Sequence, residues 1–313
     1  MRDDTRRWFR WGLGALWLLD GLLQLQPAMF GPALSRMFVA SAVGSPGWVV
    51  ALVAWGARWF ALAPAVANSG AVAAQVGIGV LILMSNRVWC HWGLRFSVVW
   101  GAVVWVFGEA FGGILAPGAS LLTGAPGSVL FYVSAALLLL RSDTWLERWG
   151  AQAMAWLVGA YWFLGAGLMV VSGGFVPGAL AAAVDQAAAT PQPALLSGPM
   201  AHVGWLLARH PHVGGSLLFF VFLALGELWL VKRPTRWVSV LSFATLAAMW
   251  WFGMDFGVLG GTGTDPNTAP VMALFVNAAA ARPLWRWRGI PRRVPAGRPV
   301  RHASPLLRRM GPR

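Results

Sequence analysis

The segment VVWVFGEAFGG, residues 103–113, carries a glutamate at the end of a long apolar run. Its residue spacing returns 145 positions later in WWFGMDFGV, residues 250–258, again with an acid inside. The matched pairs are Trp105 and Trp250, Phe107 and Phe252, Gly108 and Gly253, Phe111 and Phe256, and Gly112 and Gly257. The same offset relates Trp17, Phe30 and Pro32 to Trp162, Phe175 and Pro177. The pattern predicts an internal duplication.

The composition is that of a membrane protein. Of 313 residues, 58% are hydrophobic and only 11% are charged, whereas soluble domains carry roughly 25% charged residues. Several apolar stretches reach the roughly 20 residues that cross a hydrocarbon core of about 30 Å. Because long unbroken apolar runs favour helices over barrel strands, we predict an all-α, polytopic membrane protein.

Eight transmembrane helices are predicted, four in each half. They lie at residues 11–29, 67–85, 96–115, 127–141, 151–172, 213–231, 237–259 and 269–282. Residues 45–64 and 198–211 are predicted to form an outer amphipathic helix in each half. Four crossings return the chain to its starting side, so residues 1–145 and 146–282 would be two parallel four-helix repeats. Residues 283–313 would be a disordered basic cytoplasmic tail.

The distribution of basic residues predicts the orientation of these helices. In the eight-span arrangement, all but three of the 24 basic residues fall on one side, which the positive-inside rule makes the cytoplasmic side. The exceptions are Arg36, Arg58 and Arg209. We therefore expect a bacterial cytoplasmic (inner) membrane protein with both termini in the cytoplasm. The basic tail is expected to contact anionic lipids and not nucleic acid.

The N-terminal segment TRRWFR, residues 5–10, resembles a twin-arginine export signal. The apolar run that follows it has a counterpart in the middle of the chain, and a removable signal would have none. We expect this segment to be retained as the start of the first span.

Four acids lie inside the predicted spans. Glu227 stands close to Lys232 and Arg233 and is expected to pair with them near the cytoplasmic surface; the other three are Asp20, Glu109 and Asp255. Carboxyl groups in a membrane are costly and usually face a bundle interior or a water-filled cavity. We predict that these three converge in one polar pocket in the outer half of the membrane. Such carboxyls suit a proton relay or a hydrogen bond to a quinone or another small polar ligand. A purely structural hydrogen bond between helices is the alternative.

Further polar residues are candidates for the same pocket. Arg58, on the predicted outer helix, would keep a neighbouring carboxylate charged. Asn68 and Gln75 stand seven residues apart on one helical face and are candidate pocket liners; hydrogen bonds that only serve packing explain them equally well.

The sequence identifies no metal site and no reaction. His202, His210 and His212 are close in sequence and bear imidazoles that bind metals or haem. Two of them flank a proline, however, and the first half has no matching set, so we favour ordinary interfacial histidines. A single cysteine excludes an internal disulfide. Walker, dinucleotide-binding and nucleophile-elbow motifs are all missing from the sequence, which leaves catalysis unassigned.

The tandem four-helix units with their acid-bearing, glycine-rich motif resemble the DoxX and DoxD-like families of bacterial membrane proteins. Those families include the large membrane subunit of thiosulfate:quinone oxidoreductase. The stretches LWLLDGLLQLQPAMF and GEAFGGILAPGASLLTGAPGSVLFY also look like a largely uncharacterised group of bacterial integral membrane proteins.

Three functions follow as hypotheses. The resemblance implies a subunit or accessory of a quinone-linked redox system, with a redox partner protein. A transporter of a small solute or ion would use the same acidic site. A non-catalytic scaffold would use the acids only as contacts between helices.

Overall fold

The computed structural model describes Met1, residues 3–231 and residues 235–280. All regular secondary structure within these ranges is helical, which confirms the all-α prediction. The predicted cytoplasmic tail lies outside the described residues. In chain order the helices are α1 (Asp3–Leu23), α2 (Ala33–Ser41), α3 (Gly47–Leu62), α4 (Pro64–Leu83), α5 (Arg87–Phe107), α6 (Ser128–Leu139), α7 (Asp143–Val171), α8 (Ala179–Ala188), α9 (Ala194–Arg209), α10 (Pro211–Val231), α11 (Arg236–Phe252) and α12 (Thr268–Ala279).

Four of the described helices are long and apolar enough to cross a membrane, namely α4, α5, α7 and α10. The chain therefore has the helices of a membrane protein. Helices α6 and α12 are apolar but have only 12 residues each. The segments predicted as amphipathic helices form α3 and α9, each of 16 residues. Two short helices, α2 and α8, were not predicted.

Helix α5 is delimited by local chemistry at both ends. The Asn86 side chain accepts hydrogen bonds from the backbone N–H groups of Val88 (2.9 Å) and Trp89 (3.3 Å), which caps the first turn. The helix ends at Phe107 and not at residue 115 as predicted. From Ala110, which has a φ of 46°, to Gly113 every residue adopts positive φ. This conformation cannot continue a right-handed helix.

Glu109 therefore lies in a turn beyond α5 and not inside a span. Asp255 has the same kind of position, because α11 ends at Phe252 and Asp255 has a φ of 52°. Both acids therefore lie beyond the ends of the helices that were predicted to carry them.

Glycines bring two helix pairs into close contact. A β-carbon at Gly14 of α1 would lie 3.3 Å from the carbonyl oxygen of Gly79 in α4. In the second half, a β-carbon at Gly159 of α7 would lie 3.4 Å from the carbonyl oxygen of Gly226 in α10. Small residues allow such backbone approach between apolar helices, where packing replaces the hydrophobic effect as the source of association.

The two halves join along α6 and α12. Both short helices are largely buried, and α12 contacts α1, α6 and α7. The Phe275 ring of α12 packs edge-on against Phe9 of α1, with ring centroids 4.9 Å apart, and against Phe131 of α6 at 6.2 Å. One apolar core therefore runs through both halves.

Candidate functional site

A cavity of about 240 Å³ lies in the first half of the chain. Helices α1, α2, α4 and α5 form most of its wall, and a loop of the second half, at Thr264 and Asp265, contributes to it. The lining residues are Trp17, Asp20, Gln24, Leu34, Met37, Phe38, Ser41, Phe60, Ala71, Gln75, Trp100, Val103, Val104, Phe107, Gly108, Glu109, Val129, Thr264 and Asp265. The cavity thus combines three carboxyl groups with an otherwise largely apolar wall.

Two of the carboxyl groups meet at one hydroxyl. Ser128 Oγ lies 2.9 Å from Glu109 Oε1 and 2.9 Å from Asp265 Oδ1. A serine hydroxyl has one hydrogen to donate, so it donates to one carboxyl only. The other short contact is favourable only when the second carboxyl carries a proton, which it can donate to Ser128 Oγ. The arrangement of Glu109, Ser128 and Asp265 therefore favours one proton bound by the carboxyl pair.

The surroundings of Glu109 and Asp265 agree with this count. Both residues lie in loops beyond the spanning helices. Burial raises the pKa of both carboxyls, and the charge of Asp265 raises the pKa of Glu109 further. Hydrogen bonds with the Ser128 hydroxyl, from the Val129 N–H to Glu109 and from the Asn267 N–H to Asp265 act in the opposite direction without cancelling the effect of burial.

Asp20 is the third carboxyl of the cavity. It is 2% exposed, and the Tyr132 hydroxyl donates a hydrogen bond to its Oδ1 at 3.4 Å. Its charge interacts with those of Glu109 and Asp265. Tyr132 is itself fixed by an edge-on contact with the Trp17 ring, at a centroid distance of 5.0 Å. Asp20 and Glu109, predicted to share a pocket, line the same cavity.

Three buried amide side chains lie at the cavity or support its wall. Gln24 and Gln75 line the cavity and are each 5% exposed, and the Oε1 atom of each is buried without a hydrogen-bond partner. Asn68 is fully buried but does not line the cavity. Its Nδ2 donates to the Gln24 carbonyl oxygen at 2.8 Å, which ties the end of α1 to α4. Asn68 therefore supports the wall that Gln24 and Gln75 form.

Two predicted pocket residues lie elsewhere. Arg58 is exposed on α3 and does not line the cavity, so it does not neutralise Glu109. Asp255 also lies outside the cavity, partly buried, and hydrogen-bonds to Thr190. Asp265 occupies the place expected for Asp255. The sequence contains one signal for it, an acid in the turn-rich stretch TDPN, residues 264–267.

The three histidines lie on the surface of α9 and α10. His202, His210 and His212 are exposed, and the His202 ring stacks on Trp205 at a centroid distance of 5.7 Å. In the part of the chain that the structure describes, no group of three or more His, Cys, Asp or Glu side chains is arranged to hold a metal ion.

Comparison with protein-family models, curated proteins and solved structures finds no match to this chain. The functional assignment therefore rests on the cavity itself. Its geometry allows three things: storage of a proton, acceptance of hydrogen bonds, and stabilisation of positive charge by carboxylates.

Proposed function

We propose that this chain is an integral membrane protein that binds a small solute in the carboxyl cavity and exchanges a proton with it, as a proton-coupled transporter does. The observation that carries the proposal is the single Ser128 hydroxyl placed 2.9 Å from both Glu109 and Asp265. A carboxyl pair that shares a proton beside a ligand-sized space can release that proton when a ligand changes the local charge.

The proposal includes an architecture of two parallel four-helix repeats. Matched contacts in the two halves support it. Trp105 Nε1 donates to the Pro126 carbonyl oxygen at 2.8 Å, and Trp250 Nε1 donates to that of Pro266 at 2.8 Å. Each tryptophan also packs edge-on against the phenylalanine six residues later, at 5.2 Å and 5.0 Å.

The backbone of the two turns supports the same repeat. Ala110, Phe111 and Gly112 all have positive φ, and so do the residues 145 positions later, Asp255, Phe256 and Gly257. Left-handed conformations at non-glycine residues are uncommon, so two in succession followed by a left-handed glycine at both places support a common origin. Eight spans in the bacterial cytoplasmic membrane, with both termini cytoplasmic, complete the proposal and are supported by the distribution of basic residues.

A quinone-linked redox role, as implied by the DoxX-like resemblance, is the second candidate. Trp100 Nε1 favours it, because this N–H group is buried at the cavity without a protein acceptor. A quinone oxygen accepts hydrogen bonds and would satisfy it. Extraction of the purified protein with organic solvent tests this candidate, and a stoichiometric quinone in the extract would favour it over the transporter.

Infrared spectroscopy of the purified protein tests the proton-sharing site. At neutral pH the wild type should show a protonated carboxylic acid band that disappears under alkaline conditions. Glu109→Gln and Asp265→Asn should each weaken it. Asp143→Asn is the control, because Arg6 hydrogen-bonds to that exposed carboxylate and lowers its pKa. A wild-type spectrum without the band, or one unchanged in both cavity variants, would refute the proposed function.

A further inference from the structure

We infer that the solute bound in the carboxyl cavity is a small alkylammonium ion, that is, a protonated amine or a quaternary ammonium compound. This inference rests on the proposed function and names its substrate class. It is carried by two features of the cavity wall: hydrogen-bond acceptors without partners and a set of aromatic side chains.

The polar part of the wall lacks a positive charge. Its carboxyl groups belong to Asp20, Glu109 and Asp265, and no lysine, arginine or histidine is among the described lining residues. Gln24 and Gln75 add two buried Oε1 acceptors without protein partners. Buried acceptors of this kind are costly unless a donor reaches them. A ligand that brings N–H donors or positive charge would meet this need, whereas an anion would be repelled.

The other part of the wall is aromatic. Trp17, Trp100, Phe38, Phe60 and Phe107 line the same space as the carboxyls. A cation over an aromatic face within about 6 Å is stabilised by the ring electrons, most strongly by tryptophan. Bare metal ions prefer a shell of oxygen ligands. A wall that offers both carboxyl groups and aromatic rings therefore favours an organic cation, which has both a charge and an apolar surface.

Charge balance couples this ligand to protons. The Glu109–Ser128–Asp265 group shares the cavity with Asp20, which accepts a hydrogen bond from Tyr132. The basic residues of the adjacent helices α2 and α3, Arg36 and Arg58, are exposed. Entry of one cation stabilises the ionised form of the cluster, and one proton leaves. The ligand cation and the proton therefore compete for the same negative charge of the carboxyl cluster.

Calorimetric titration of the detergent-purified protein with tetramethylammonium and with methylammonium tests the inference. Both ions should bind the wild type. Repetition in buffers of different ionisation enthalpy should show release of about one proton per ion at neutral pH, because one positive charge replaces another. Glu109→Gln should weaken binding by about tenfold or more, and Asp255→Asn, outside the cavity, should leave it unchanged.

A matched pair of variants at Trp100 separates the ligand classes. Trp100→Phe keeps an aromatic face and should weaken binding less than about twofold. Trp100→Leu removes the face and should weaken it about fivefold. Equal losses in both variants would instead indicate a ligand that accepts from the indole N–H, such as a quinone, and would overturn the inference. Sodium binding that Trp100→Leu leaves intact would overturn it in favour of an inorganic cation.

Failure of the inference is distinguishable from failure of the proposed function. If neither ammonium ion binds to a wild type that shows the carboxylic acid band, the substrate class is wrong and the proton-sharing site stands. If the band itself is missing, the proposed function falls. Size-exclusion chromatography confirms that each variant is folded before titration.

Discussion

The interior around α1 and α4 is polar, whereas the interior around α7 and α10 is apolar at the corresponding positions. When the two helix pairs are aligned on their glycine contacts, Gly14 with Gly159 and Gly79 with Gly226, Asp20 aligns with Gly165 and Gln75 aligns with Phe222. Phe222 is fully buried and packs against Trp162 at a ring centroid distance of 5.6 Å. Its ring also lies so close to Gly165 that a β-carbon there would overlap it. Both helix pairs nevertheless make the same close glycine contact.

This difference shows that the carboxyl and amide groups are not needed to hold such a helix pair together. The second half packs with a glycine and a phenylalanine at the positions where the first half buries charge-bearing and amide groups. Replacement of buried polar groups by apolar ones of similar volume is often neutral or stabilising. The polar interior of the first half therefore costs stability, which favours a ligand-binding role over that of a scaffold.

The largest loss of stability is expected from substitutions at the turns after α5 and α11, where the two halves are most alike. A β-carbon at Gly112 would overlap the Pro126 carbonyl oxygen, and one at Gly257 would overlap the Asp265 carbonyl oxygen. Gly112→Ala and Gly257→Ala should each lower the free energy of unfolding by about 4 kcal/mol. Gly113→Ala is the control: it shares a positive φ but has open space around it, and should cost about 1 kcal/mol. Chemical unfolding in detergent measures all three, and equal losses would contradict the assigned contacts.

The next largest loss of stability is expected from a variant that makes the second half resemble the first. Phe222→Gln would place an amide without a partner in a fully buried apolar site and lose ring contacts. It should lower the free energy of unfolding by about 3 kcal/mol. Phe222→Leu, which keeps the site apolar, should cost about half as much. If the glutamine variant is as stable as the leucine variant, the second half also tolerates a polar interior and the comparison fails.

The pH dependence of stability should come from the first half. Because folding raises the pKa of Glu109, the folded state binds a proton that the unfolded state has lost, over the range between the two pKa values. Stability is thus greatest in acid and falls as pH rises through this range. Glu109→Gln should reduce that slope by up to about 1.4 kcal/mol per pH unit. Unfolding midpoints measured from acid to mildly alkaline pH test this, and an unchanged slope would contradict it.

The smallest change in stability is expected from a variant that makes the first half resemble the second. The double variant Asp20→Gly, Gln75→Phe copies the residues of the second half and fills the cavity. It should raise the free energy of unfolding by about 1 kcal/mol, because apolar packing replaces unpartnered polar groups, while ammonium binding is lost. A double variant that unfolds more easily than the wild type would show that the polar groups do hold the helices, and would favour the scaffold hypothesis.

The fold class follows from the sequence because long apolar runs have few structural options. The long helices α4, α5, α7 and α10 lie where the runs predicted helices, since backbone polar groups must be satisfied within each segment. Their ends were less predictable. Helix α5 stops at Phe107 because a string of left-handed residues follows it, and Ala110 and Phe111 are residues that rarely signal such a conformation.

The carboxyl cavity, too, was predictable from the sequence only in part. The sequence by itself determined that Asp20, Glu109 and Gln75 are out of place in an apolar environment, because their burial is costly anywhere in such a chain. Only the tertiary structure decided which acid joins them. The loop between α11 and α12 brings Asp265 to Ser128, 137 residues away in sequence, and leaves Asp255 outside the cavity. Contacts between distant segments depend on how the helices pack, and local residue patterns do not encode that packing.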